Sequence, residues 1–160
     1  MRSARPWSGD LCEGRRAVFA GLPMMDEVRA ALDILRGLSD AELDGLCRRH
    51  GVRVLTVFGS AVEPAVDEPH DLDVGVVFEP GSDHDVLGQL ETLVDRLGTE
   101  RIDVLDASQA SETARFRAIA EGEALYESEP AASAFAAAGA ATLYMETAAM
   151  RRAALADLGR

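Results

Sequence analysis

The sequence contains no lysine: all sixteen basic residues among its 160 are arginines. This reads as a bias towards arginine codons, and it removes lysine as a phosphate ligand or a nucleophile. Positive charge is scarce altogether. The formal net charge is -12 and the pI is about 4.6. Such a surface repels a nucleic-acid backbone unless a local basic stripe overrides the average, and no such stripe is visible. Nucleic acid is not an expected direct partner. Cysteine is nearly absent too. Cys12 and Cys47 have neither CxxC spacing nor metal-ligand neighbours, so both read as reduced, cytoplasmic thiols. Long apolar runs are missing: nothing approaches the roughly 18 residues of a membrane span, and the first residues lack a signal peptide's compact apolar stretch. A cytoplasmic protein without membrane association is expected. What is present is enough for one core, since 48% of the residues are hydrophobic and no composition break divides the chain.

Residues 1–23 are rich in Gly, Pro and Arg and show neither helical nor strand period, so a disordered extension is expected there. Met24 and Met25 directly precede the first periodic segment, where a start codon would fit. One domain is expected over 24–160. Val28, Leu32 and Leu35 recur at helical spacing up to Gly37. Ser39 and Glu42 form a capping-box pattern, followed by an apolar stripe of Leu43, Leu46 and Cys47 and a stop at Gly51. Residues 52–58, VRVLTVF, and 71–79, DLDVGVVFE, read as strands. Between about His84 and Leu97 a helix carries Val86, Leu87, Leu90, Leu93, Val94 and Leu97, with Ser82 or Asp83 to cap it and Gly98 to end it. Residues 101–107 form a short third strand, 109–121 a helix, ALYES a short extended piece, and the Ala-rich end a long helix or helix pair. This order predicts an α/β (α+β) fold with a small mixed β-sheet, helices on one face and three aspartates on the open face.

Side chains alternate along a strand, so Asp71 and Asp73 share one face while Leu72, Val74 and Val76 share the other. Asp103 lies between Ile102 and Val104, both of which favour burial, and should emerge opposite them. If the strands are neighbours, three carboxylates meet. At about 4 Å they repel by several kcal/mol at an effective dielectric near 20, so cations must sit among them. Mg²⁺ fits, because it takes hard oxygen ligands and is shared with substrate phosphates. Gly59 lets a phosphate approach the backbone closely, and Ser60 adds a hydroxyl at an anion-binding turn. Together these halves describe a two-metal phosphoryl or nucleotidyl transfer site. Asp106 reads as a helix-flanking acid, His50, His70 and His84 as surface histidines without metal spacing, and Arg101, Arg115 and Arg117 as solvated charges, one of which could reach a phosphate.

Gly59-Ser60, ten intervening residues, Asp71-x-Asp73 and a third acid at Asp103 resemble the minimal nucleotidyltransferase (MNT-type) group of the DNA polymerase β-like superfamily. The resemblance runs from about Asp26 to the end, taking in RFRAIAEGEALYES and the C-terminal Phe135, Tyr144 and Glu146. It implies a polymerase β palm-like nucleotidyltransferase domain over 24–160 with a C-terminal helical region. It also implies a type VII-like antitoxin whose partner is a HEPN-domain ribonuclease toxin, neutralised by transfer of AMP from ATP to a tyrosine hydroxyl. By the same resemblance Ser60 contacts the triphosphate and Asp71 and Asp73 bind two Mg²⁺ ions. Asp103 binds the catalytic ion and helps to deprotonate the acceptor. The chain departs from the group in the loop, where Ala61-Val62-Glu63-Pro64 replaces one or two basic residues, and at His70, where Ser is common. Two other readings stand beside the first: a weak or inactive relative that neutralises its partner by binding alone, and a small-molecule (antibiotic) nucleotidyltransferase.

Overall fold

The computed structural model describes residues 24–67 and 69–158; the extension expected over 1–23 lies outside them. Helix α1, Met24–Arg36, buries Val28, Ala31, Leu32 and Leu35 along one stripe. Helix α2, Asp40–Cys47, starts at the expected capping pair: the Glu42 carboxylate accepts the Ser39 backbone N–H at 3.0 Å and its hydroxyl at 2.9 Å. A 3₁₀ turn follows and ends at Gly51, which is left-handed with φ 70. The chain continues through β1 (Val52–Phe58), a 3₁₀ turn (Gly59–Ala61), β2 (Leu72–Phe78), α3 (Val86–Leu97) and β3 (Ile102–Asp106). It closes with α4 (Glu112–Arg115), a π-type turn (Phe116–Ala120), β4 (Glu123–Glu127), α5 (Ala132–Glu146) and α6 (Ala148–Leu158).

The sheet order is β3-β2-β1-β4. Strand β1 is antiparallel to both neighbours, and β2 and β3 are parallel, so the sheet is mixed as expected. Leu55, Val57, Leu72, Val74, Val76 and Ile102 pack with α1, α2 and α3 into the main core. Part of the opposite face carries a second, smaller cluster, in which Ala118, Ile119 and Ala140 pack with Phe58, Val77 and Leu105. The wide turn is fixed to the sheet by the buried Thr56 hydroxyl, which donates to Ala118 O at 2.7 Å. Such a bond removes the cost of burying an unpaired hydroxyl.

Four local expectations are corrected. Helix α3 begins two residues later than expected and its cap is Asp85, which accepts the Gly88 N–H at 3.0 Å; Ser82 instead donates to Glu79 O at 2.8 Å. Leu87 is 74% exposed, whereas Gln89 is fully buried, because Gln89 shares a helical face with Val86, Leu90, Leu93 and Leu97. The helix expected over 109–121 is helical over 112–120 only, a Ser111-capped α-helical turn that widens into the π-type turn. His50 is a cross-link: its ring nitrogens lie 2.7 Å from Asp85 and 2.8 Å from Thr92 Oγ1 of α3. No helix among the described residues is long and apolar enough to cross a membrane.

Candidate active site

Antiparallel β1 ends where parallel β2 and β3 begin, so one end of the sheet gathers the turn after β1 and the starts of the other two strands. Phe58 is the register partner of Asp73, and Asp73 is the register partner of Asp103. Gly59, the next residue after Phe58, therefore emerges beside Asp73. Its φ is 71, a left-handed conformation, and a Cβ built on it would lie 2.2 Å from Asp73 Oδ2 and 3.1 Å from Asp73 Cγ. Glycine is required here both for its backbone angle and for its missing side chain. The Ser60 hydroxyl sits in the same turn, half-buried, with no hydrogen bond to another described residue.

Asp103 is exposed next to buried Ile102, on the face that alternation assigns to it. Asp71 directly precedes β2, and Leu72, which separates it from Asp73, is fully buried. The three acids share one electrostatic neighbourhood. Burial first, then the charge of Asp103, then that of Asp71, hold the Asp73 carboxyl above its ordinary value. None of the three forms an ion pair with a described cation. Nor do they close into a cage: among the described residues no three His, Cys, Asp or Glu side chains are arranged to hold a metal on their own. The result is an open, uncompensated acidic patch against a glycine turn. Asp106 stands apart, with its carboxylate accepting the Ser108 N–H at 2.8 Å and facing His84 Nδ1 at 2.8 Å.

The connector between Ser60 and Asp71 is held by arginines from outside it. Arg29 of α1 donates from Nη2 to Val66 O at 2.9 Å and to Asp67 O at 3.2 Å. Arg101 donates from Nη1 to His70 O at 2.9 Å. Glu63 is exposed and, with Ala61, Val62 and Pro64, lines a cleft of about 210 Å³ against Arg29 and Arg36 of α1. Sequence reasoning missed both arginine contacts. A guanidinium that holds main-chain carbonyls leaves no spacing pattern, and Arg29 occupies the exposed side of an amphipathic helix.

A family model described as "Polymerase beta, Nucleotidyltransferase" matches residues 42–131, more than half of the chain and both halves of the site. No curated protein matches. Among solved structures the chain is similar to a toxin–antitoxin with AMP-PNP, at 19% identity and a TM-score of 0.61, covering 77% of this chain and 100% of that one. It is also similar to the toxin–antitoxin MntA-HepT, at 18% identity and a TM-score of 0.57, covering 76% and 97%. A third is a tri-AMPylated Shewanella oneidensis HEPN toxin in complex with MNT antitoxin, at 18% identity and a TM-score of 0.58, covering 78% and 99%. At these identities the likeness to the solved structures is one of fold.

Proposed function

The chain belongs to the polymerase beta nucleotidyltransferase family, and from that premise we propose that it transfers AMP from ATP to a tyrosine hydroxyl of a HEPN-domain toxin, as an antitoxin. The observation that carries this reading is the contact of Gly59 with Asp73, with Asp103 in register beside them. It joins the phosphate-binding half of the motif to the acidic half at one end of the sheet. The relatives solved with AMP-PNP and with a tri-AMPylated HEPN toxin support the choice of nucleotide and acceptor. Phe135, Met145 and Met150, three of the large apolar side chains left most exposed, lie on α5 and α6. Large apolar side chains exposed on the last two helices give a protein partner something to bury, which a small antibiotic does not require.

Asp71, Asp73 and Asp103 would hold Mg²⁺ together with water and substrate phosphates: they offer hard oxygens in one electrostatic neighbourhood and form no ion pair among the described residues. When bound, the metal supplies charge neutralisation for the developing pyrophosphate and aligns the attacking and leaving oxygens. The chain's own residues do the rest. Gly59 leaves its backbone open to the phosphates and Ser60 offers its hydroxyl as a donor. Asp103, which is exposed, takes the proton of the acceptor hydroxyl, as the resemblance implies. The acceptor oxygen bonds to the α-phosphorus, the bond to the α–β bridging oxygen breaks, and pyrophosphate leaves with that electron pair. Glu63 lines the α1 cleft together with Arg29, Asp33 and Arg36.

Incubation with labelled ATP, Mg²⁺ and the HEPN partner tests the proposal. Label is expected on the partner's tyrosine, and Asp71→Asn with Asp73→Asn is expected to reduce transfer by at least about 1,000-fold. Transfer that survives the double substitution would overturn the metal assignment. Toxin neutralisation that survives it would establish the binding-only reading instead.

A further inference from the structure

Resting on that reading, we propose that Arg29 and Arg101 clamp the connector between Ser60 and Asp71 as positioning residues, supplying from neighbouring elements the positive charge that the connector lacks. Residues 61–70 include Glu63, Asp67 and Glu68 and no arginine or lysine. Such a segment repels both the acidic patch and an incoming triphosphate. Among its described residues the main chain supplies two turn bonds, Val62 N–H to Gly59 O at 3.3 Å and Val66 N–H to Glu63 O at 3.2 Å.

The two arginines grip different points. Arg29 reaches 37 and 38 residues along the chain, so one guanidinium nitrogen, Nη2, donates to two successive carbonyls in the middle of the connector. Arg101 brackets Asp71. Its side chain holds the carbonyl of His70 before that aspartate, and its own carbonyl accepts the Leu72 N–H after it at 2.9 Å. The backbone of Asp71 is thus fixed from both sides by a single residue that stands two positions from Asp103. A guanidinium never loses its charge in the accessible pH range, and charge-assisted bonds to carbonyls are stronger than neutral ones. Lysine would keep the charge but not the planar, fixed direction of the guanidinium N–H groups.

The test uses the full chain with Arg29→Gln, Arg29→Lys and Arg101→Gln. Three quantities are read: amide hydrogen exchange over 62–72 against that of β1, the melting temperature, and the affinity for a fluorescent ATP analogue with Mg²⁺. Both Gln variants are expected to speed exchange over 62–72 at least tenfold while β1 is unchanged, and Lys is expected to restore part of the protection at position 29. Nucleotide affinity is expected to fall about tenfold, the scale of one lost charge-assisted hydrogen bond. Unchanged exchange over 62–72 in both Gln variants would overturn the clamp. So would faster exchange with unchanged affinity. A parent protein that binds no Mg²⁺–ATP overturns the nucleotidyltransferase reading and the nucleotide-positioning role together, and the exchange arm then decides the clamp on the connector alone.

Discussion

Gly59 and Asp73 compete for the same volume, and the contact resolves only because position 59 has no side chain. Gly59→Ala meets two penalties together: a left-handed backbone angle, at about 1 kcal/mol, and a methyl that displaces the Asp73 carboxylate. Transfer is expected to fall about 100-fold, the usual cost of misplacing a reacting group by roughly 1 Å, with a modest drop in melting temperature. Labelled transfer and thermal melts measure the two effects separately. Asp73 also carries a pH signature. Its carboxyl titrates above its ordinary value of 3.8, so the native state binds that proton more tightly than the unfolded chain does. Asp73 therefore costs no stability below that value, and its penalty grows as the pH rises through the folded value. In EDTA at pH 7, Asp73→Asn is expected to melt about 2 °C higher than the parent, the gap closing below about pH 4. A lower melting temperature at pH 7 would refute this. At this scale the acids were legible, since strand alternation alone puts Asp71 and Asp73 on one face. The Gly59–Asp73 contact was not, because it depends on the register between β1 and β2.

The elements that the sequence revealed best are those whose burial follows their own period. Val28, Leu32 and Leu35 in α1 and the β-branched run of β1 needed no tertiary information. The start of α3 was misplaced because Ser82, Asp83 and Asp85 are all competent caps, and the choice of Asp85 rests on its bonds to Gly88 and His50. The π-type turn was illegible because its width serves the Thr56–Ala118 bond, 62 residues apart. Gln89 exposes a conflict within α3. It is fully buried in the helical stripe, and neither its Nε2 nor its Oε1 has a hydrogen-bond partner among the described residues. A buried amide without partners costs about 1–3 kcal/mol. Gln89→Leu keeps a similar volume and removes that cost, so it is expected to stabilise the protein by about 1–2 kcal/mol in urea unfolding. A destabilised variant would mean that the amide is satisfied by bound water.

Across the whole molecule, the net charge of -12 and the acidic patch make different demands on cations. Diffuse self-repulsion is relieved by any salt, because exposed charges are screened within about 10 Å at 0.1 M. The patch is assembled from the start of β2 and from β3, against the turn after β1, and exists only when the sheet is formed, so a ligand that bridges it binds the native state alone. Linkage then requires stabilisation: at 100 times its dissociation constant such a ligand adds about 2.7 kcal/mol, or roughly 5–10 °C in a domain of this size. Mg²⁺ with a non-hydrolysable ATP analogue is expected to produce that rise, and sodium chloride of equal ionic strength is not. EDTA should abolish the rise. Asp71→Asn with Asp73→Asn should abolish it too while leaving the melting temperature of the free protein unchanged or higher. An equal rise in the double variant would place nucleotide and metal away from the end of the sheet where Gly59, Asp73 and Asp103 meet.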